Sequence, residues 1–279
     1  MIHLRTMTTD DLALGMRLRG QARFNQTEAD WRRFLDLEPD GCFVAELDGE
    51  PVGTVANFVF GPIGWIAMLL VDERVRRRGI GTRLTQHALD YLASRGVATA
   101  RLDATPRGRL VYEKLGFVAE YELVRLEGTA PGVATPGTVV CLTPDRLDAL
   151  VALDEQATAT PRRRLIERLC AERPEATWVF PSGDGIAGYM TLREGTNATQ
   201  IGPCVALSDE AGRALGDAAL AFCAGQRVFV DVPVDNRPAM QWAESKGLVA
   251  QRPFTRMRRG EPVADEPSQL WASSGPEKG

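Results

Sequence analysis

Histidine is almost missing from this sequence: His3 and His87 are the only two in 279 residues. That is too few for a histidine-rich metal centre and argues against a histidine-based catalytic triad. Cysteine is sparse as well. The five (Cys42, Cys141, Cys170, Cys204, Cys223) are scattered, odd in number and form no CxxC pair, so neither a disulfide framework nor a zinc site is expected. No apolar run reaches the ~18 residues of a membrane span, and the start, MIHLRTMTTDD, has no secretory apolar core. There is no basic excess either. Lys and Arg total 33 against 37 Asp and Glu, a formal charge of −4, where non-specific nucleic-acid binding wants a basic surface. These absences together read as a cytoplasmic protein with no metal, membrane or nucleic-acid partner.

What is present is ordinary globular composition, 44% hydrophobic and 25% charged, in a length that suits one large domain or two ordinary ones. The stretch EGTAPGVATPGTVV (127–140) has no apolar periodicity and reads as a linker between halves of similar length. In the first half, IHLRTM predicts a strand, and two helices follow it. CFVAELDGEPVGTVANFVF predicts a hairpin turning at Asp48-Gly49. GWIAMLLV is nearly all apolar and predicts a strand buried on both faces. GTRLTQHALDYLASRG carries Leu84, Ala88, Tyr91 and Leu92 at helical spacing. A strand (ATARLDAT), a short helix (RGRLVYEKLG) and a last strand (FVAEYELVRLE) complete it. The second half repeats this order, and its end aligns with the end of the first so that Asp231 matches Asp103 and Ala243 matches Tyr112.

Between the apolar strand and its helix lies VDERVRRRGIGTRL. Gly79 and Gly81 let the backbone come close to a ligand. The helix that follows leaves its first amides unpaired, at the positive end of its dipole. Together with the Thr82 hydroxyl and the charges of Arg76, Arg77 and Arg78, this is a seat for an anion. The same pattern is also a plain strand-to-helix corner.

The loop resembles the R/Q-x-x-G-x-G/A signature of the GCN5-related N-acetyltransferases, with Arg76, Gly79 and Gly81 in the signature places. LVYEKLGF resembles the family's second signature, a tyrosine one turn before a Gly-Phe step. The resemblance covers residues 1–128, and more weakly the second half. It implies an α/β (α+β) chain of two tandem domains, each a mixed, mostly antiparallel sheet flanked by helices. Residues 1–128 form the catalytic domain, 129–137 a linker, 138–260 a degenerate domain and 261–279 an irregular tail. It implies acetyl-CoA as cosubstrate, its diphosphate on the amides of Arg77, Arg78, Gly79, Ile80, Gly81 and Thr82, and its pantetheine arm along Leu69, Leu70 and Val71. Tyr112 is carried over as the acid that protonates the leaving sulfur, Asp103 as a proton acceptor, and the amide of Leu70 or Val71 as the oxyanion donor. Transfer is direct, so Cys42 reads as packing. One departure is the short turn DATPRGRLVY, where relatives carry an Asn and an Ala.

In the second half the equivalent loop is CVALSDEAGRAL. The arginine run is gone, one glycine remains (Gly212), and Asp209 and Glu210 put negative charge where a diphosphate would sit. This half is expected not to bind CoA productively, but to cover or bind the acceptor or to dimerise. Arg162, Arg163 and Arg164 read as a solvated helix face. The expected activity is acetyl transfer to a primary amine, a small molecule in preference to a peptide N-terminus, by a monomer or homodimer. A CoA-binding sensor without catalysis is the competing class.

Overall fold

The computed structural model describes residues 1–279. The first half runs β1 (Ile2–Thr6), α1 (Leu12–Ala22), α2 (Glu28–Leu37), β2 (Cys42–Leu47), β3 (Glu50–Phe60), β4 (Ile63–Val71), α3 (Ile80–Ser94), β5 (Thr99–Ala104), α4 (Pro106–Lys114) and β6 (Val118–Thr129). The second repeats it: β7 (Val140–Cys141), α5 (Leu147–Thr158), α6 (Arg163–Glu172), β8 (Thr177–Ser182), β9 (Gly185–Arg193), β10 (Thr199–Ala206), α7 (Asp209–Phe222), β11 (Arg227–Pro233), α8 (Arg237–Ser245) and β12 (Val249–Gly260). The expected hairpin forms at Asp48-Gly49, with Leu47 opposite Glu50. The apolar stripe of α3 packs Ile80, Leu84, Ala88 and Leu92 onto one face of the first-half strands. On the other face Trp31 and Phe34 of α2 join Phe58 and, from the second half, Leu165 and Leu169. Each large side chain so buried contributes about 1.5–3 kcal/mol.

The strands form one continuous sheet in the order β1-β2-β3-β4-β5-β12-β6-β11-β10-β9-β8-β7. The last strands are exchanged: β12 of the second half lies beside β5, and β6 of the first half lies beside β11. They pair with each other at the centre. The split into 1–128 and 138–260 therefore divides the chain, while in space each half is completed by the other's final strand.

In each half two parallel strands part midway. The pairing of β4 with β5 runs from Ile63↔Thr99 to Trp65↔Arg101 and stops. That of β10 with β11 runs from Thr199↔Val228 to Ile201↔Val230. In the second half the gap is filled by the tail. Residues 261–279, expected to be irregular, carry a further strand, β13 (Leu270–Ala272), which pairs Ala272 with Cys204 and Leu270 with Val205. Ser273 N then donates to the Asp231 carbonyl at 2.8 Å. The physical reason is that Leu270 and Trp271 are apolar and the splayed edges offer unpaired backbone groups. Residues 270–275 and 277–279 are buried.

Candidate active site

The glycine loop is built as an anion seat. Gly79, at φ +78°, is the residue before α3 and needs the left-handed conformation there. No side chain caps the helix. None of the amides from Arg76 to Thr82 donates within the protein; the first to do so is Arg83, to the Gly79 carbonyl at 3.0 Å. A cavity of about 560 Å³ opens on them. Leu69, Leu70, Val71, Arg76, Arg77, Gly79, Ile80, Gly81 and Thr82 all line it. Arg78 does not, although it is exposed. The Arg76 guanidinium folds back to donate to the Val71 carbonyl at 3.2 Å. Along β4, Met68 takes a positive φ of 51° and shifts the register against β3. Beyond Trp65, the groups of β4 that face β5 have no strand partner. Free amides at one end and a free strand edge at the other fit the diphosphate and pantetheine arm of acetyl-CoA.

A second cavity, of about 150 Å³, adjoins the first, and Phe24, Leu69, Thr105, Gly108, Val111 and Arg252 line both. Tyr112 lies in its wall, its ring edge-on to Phe117 with centroids 5.7 Å apart. Thr105 accepts from Gly108 N at 3.2 Å and starts the helix that carries the tyrosine. Burial alone pushes the Tyr112 hydroxyl's pKa up.

Asp103 also lines this cavity, yet both its oxygens accept from Arg256, at 2.8 and 2.9 Å. The exchanged strand supplies that arginine, directly opposite in register. The other half repeats the pair: Arg125 holds Asp231 through two bonds of 2.7 Å. A clamp duplicated in the half that has alanine at the tyrosine position is a joint between the halves. The proton-acceptor role expected of Asp103 falls on a carboxylate already held by an arginine, which the strand exchange brings in from far along the linear sequence.

The second half closes the acceptor side. Asn25, in the loop between α1 and α2, donates to the Ala198 carbonyl at 3.0 Å and accepts from Asn197 N and Ala198 N. Phe254 and Arg252 of β12, and Pro276 and Glu277 of the tail, complete the wall. Arg252, Gln26 and Glu277 were not legible as site residues. Arg252 rides on an exchanged strand, Gln26 sits in a loop without a motif, and Glu277 belongs to a tail whose one signal was the Leu-Trp pair. Arg162, read as solvated, is buried. It holds both oxygens of Asp154 and the carbonyls of Lys278 and Gly279, while Arg163 and Arg164 are exposed.

In the second half the place of the glycine loop is shut. Trp271 lies so close to Gly212 that a Cβ there would meet its ring at 2.0 Å. Ser208 caps α7 by accepting from Ala211 N at 3.2 Å. No group of three or more His, Cys, Asp or Glu gathers as metal ligands, and no helix is long and apolar enough to cross a membrane.

Comparison with known proteins agrees with this fold. The acetyltransferase (GNAT) family profile matches residues 13–117, and an acetyltransferase (GNAT) domain profile matches residues 150–272. Holothin acyltransferase of Pseudoalteromonas sp. is 28% identical over 90% of this chain and 85% of its own. An uncharacterized N-acetyltransferase of Archaeoglobus fulgidus is 36% identical, over 35% of this chain and 69% of its own. The crystal structure of a proposed acetyltransferase from Pyrococcus horikoshii superposes with a TM-score of 0.86 at 25% identity, covering 100% of this chain and 96% of its own.

Proposed function

The chain belongs to the acetyltransferase (GNAT) family as a tandem two-domain member, and from that premise we propose that it acetylates the primary amine of a small molecule, with acetyl-CoA held by the first half alone. Acetyl-CoA supplies the acetyl group as a thioester. The chain's own part begins with the amides of Arg76 to Thr82, which hold the diphosphate at the positive end of α3. The open edge of β4 takes the pantetheine arm by main-chain hydrogen bonds. The acceptor nitrogen, once neutral, forms the new C–N bond as the C–S bond breaks. The amine proton leaves to solvent, and Tyr112 Oη is the group positioned to protonate the departing sulfur.

The observation that carries this reading is the continuity of two cavities, one on uncapped amides and the other on Tyr112. The small acceptor is supported by the size of the second cavity, about 150 Å³, and by its closure through the pinned 24–26 loop and the tail. It is further supported by the relative aligned along most of its length, whose name gives holothin as what it acylates. The test is thiol release from acetyl-CoA with a panel of small amines and of peptides with free N-termini. Turnover is expected with small amines and not with peptides; the reverse would overturn the acceptor class. Titration calorimetry should give one CoA per chain, and two would overturn the division of labour.

A further inference from the structure

Four charged side chains line the cavity beside Tyr112: Asp103, Arg125, Arg252 and Glu277. Three of them are already paired within the protein. Arg256 holds Asp103, Asp231 holds Arg125, and Arg193 and Lys278 hold Glu277. Arg252 has no carboxylate partner. Its Nε donates to Gln251 Oε1 at 3.1 Å, and Nη1 and Nη2 donate to nothing in the protein.

The strand places this side chain among the cavity's other walls. Arg252 of β12 is opposite Arg125 of β6, so the two side chains share a face of the sheet. Phe254, two residues on, shares it too, and the Arg125 guanidinium lies 5.3 Å from its ring centre. Arg252 is half-buried and lines both cavities, as Leu69 does. Burial, aided by the Arg125 charge, lowers its pKa from the ordinary arginine value. A partly desolvated guanidinium without a counter-charge gains from any anion that reaches it.

Acetyl-CoA does not bring that anion here. Its diphosphate goes to the loop from Arg76 to Thr82, and no residue of that loop lines the cavity beside Tyr112. Its pantetheine arm and acetyl thioester are uncharged. The missing charge has to come with the acceptor. A carboxylate matches the two-nitrogen edge of a guanidinium, and it is small enough for a cavity of about 150 Å³.

We propose that Arg252 is the acceptor-recognition residue of this cavity, and that the acceptor is a small amino carboxylate whose anionic end meets Nη1 and Nη2 while its amine faces the thioester. The inference rests on the acetyl-transfer reading above. The test uses the full chain at saturating acetyl-CoA. It compares kcat/KM, per unprotonated amine, for glycine, β-alanine and 4-aminobutanoate, each against its uncharged amide. In at least one pair the carboxylate should exceed the amide by ~10-fold or more, as a charge-assisted hydrogen bond allows. Arg252→Met should bring that ratio to about one and Arg252→Lys should keep part of it, with CoA affinity by calorimetry unchanged in both. Should the variants fail to fold, the wild-type ratios alone decide. Ratios of one or below in all three pairs, or turnover confined to amines outside the panel, overturn this inference and leave acetyl transfer standing. So does a Met variant that keeps the ratio, or that loses CoA affinity instead. CoA binding without thiol release from any amine overturns both.

Discussion

Tyr112 keeps its proton because burial disfavours the phenolate and none of its neighbours offsets that. Its acid form persists through neutral pH, so activity should show no alkaline loss from this group below the ordinary tyrosine value of ~10. Tyr112→Phe should lower kcat by ~10²–10⁴-fold, the range of general-acid contributions, with CoA affinity unchanged by calorimetry. Retained turnover would remove the tyrosine from the chemistry. Asp103 predicts the opposite signature. Asp103→Ala strands the buried Arg256, and breaking a buried pair costs about 3–5 kcal/mol. Denaturant melts should show a large loss of stability, matched by Asp231→Ala in the other half. A fall in kcat at unchanged stability would return Asp103 to the chemistry. The tyrosine was legible because its signature is local. The Asp103 clamp was not, because its partner lies 153 residues away.

At the scale of elements, the same strand-loop-helix unit has two fates. In the first half it ends in uncapped amides, and Gly79 holds a left-handed turn that a side chain makes costly by ~1–2 kcal/mol. Gly79→Ala should weaken CoA binding by ~10-fold while the melting midpoint moves little; unchanged affinity would show that the loop does not hold the diphosphate. In the second half Ser208 supplies a cap, Asp209 and Glu210 open the helix, and β13 occupies the gap between β10 and β11. Trp271→Ala should cost about 3–5 kcal/mol of stability in urea melts, as for other buried tryptophans, and leave CoA stoichiometry at one, since the acidic helix start still repels a diphosphate. The loss of the arginine run set this loop apart in the sequence. The strand that fills it did not announce itself, because three residues in a Pro- and Ser-rich tail carry no periodicity.

For the molecule as a whole, strand exchange makes each half depend on the other. Residues 1–137 expressed alone should give no soluble folded monomer, since β5 loses β12 and β6 loses β11; a stable fragment would contradict this. The halves also share a buried ionic joint. Burial pushes the Asp30 carboxyl up, but the charges of Arg193, Lys278 and Arg33 outweigh it and hold it well below the usual carboxylate range. A carboxylate depressed in the folded state adds stability that is complete above its unfolded value of ~3.9 and is lost as pH falls below it. Lys278 is shifted the other way for a base: burial, aided by Arg193, lowers its pKa to about 8. The unfolded chain then binds the extra proton between about 8 and ~10.4, so stability from this group rises with pH across that window. Urea midpoints measured against pH should fall on the acid side and lose both trends in the Asp30→Asn and Lys278→Met variants respectively. By itself the sequence determined the elements, their repetition and the glycine turn that opens α3, because helix periodicity and turn residues act over a few neighbouring residues. Only the tertiary structure decided which strand completes which half, which arginine answers Asp103, and what walls the cavity beside Tyr112. Those depend on pairings between residues more than a hundred positions apart, where backbone edges and buried charges choose partners by proximity in space.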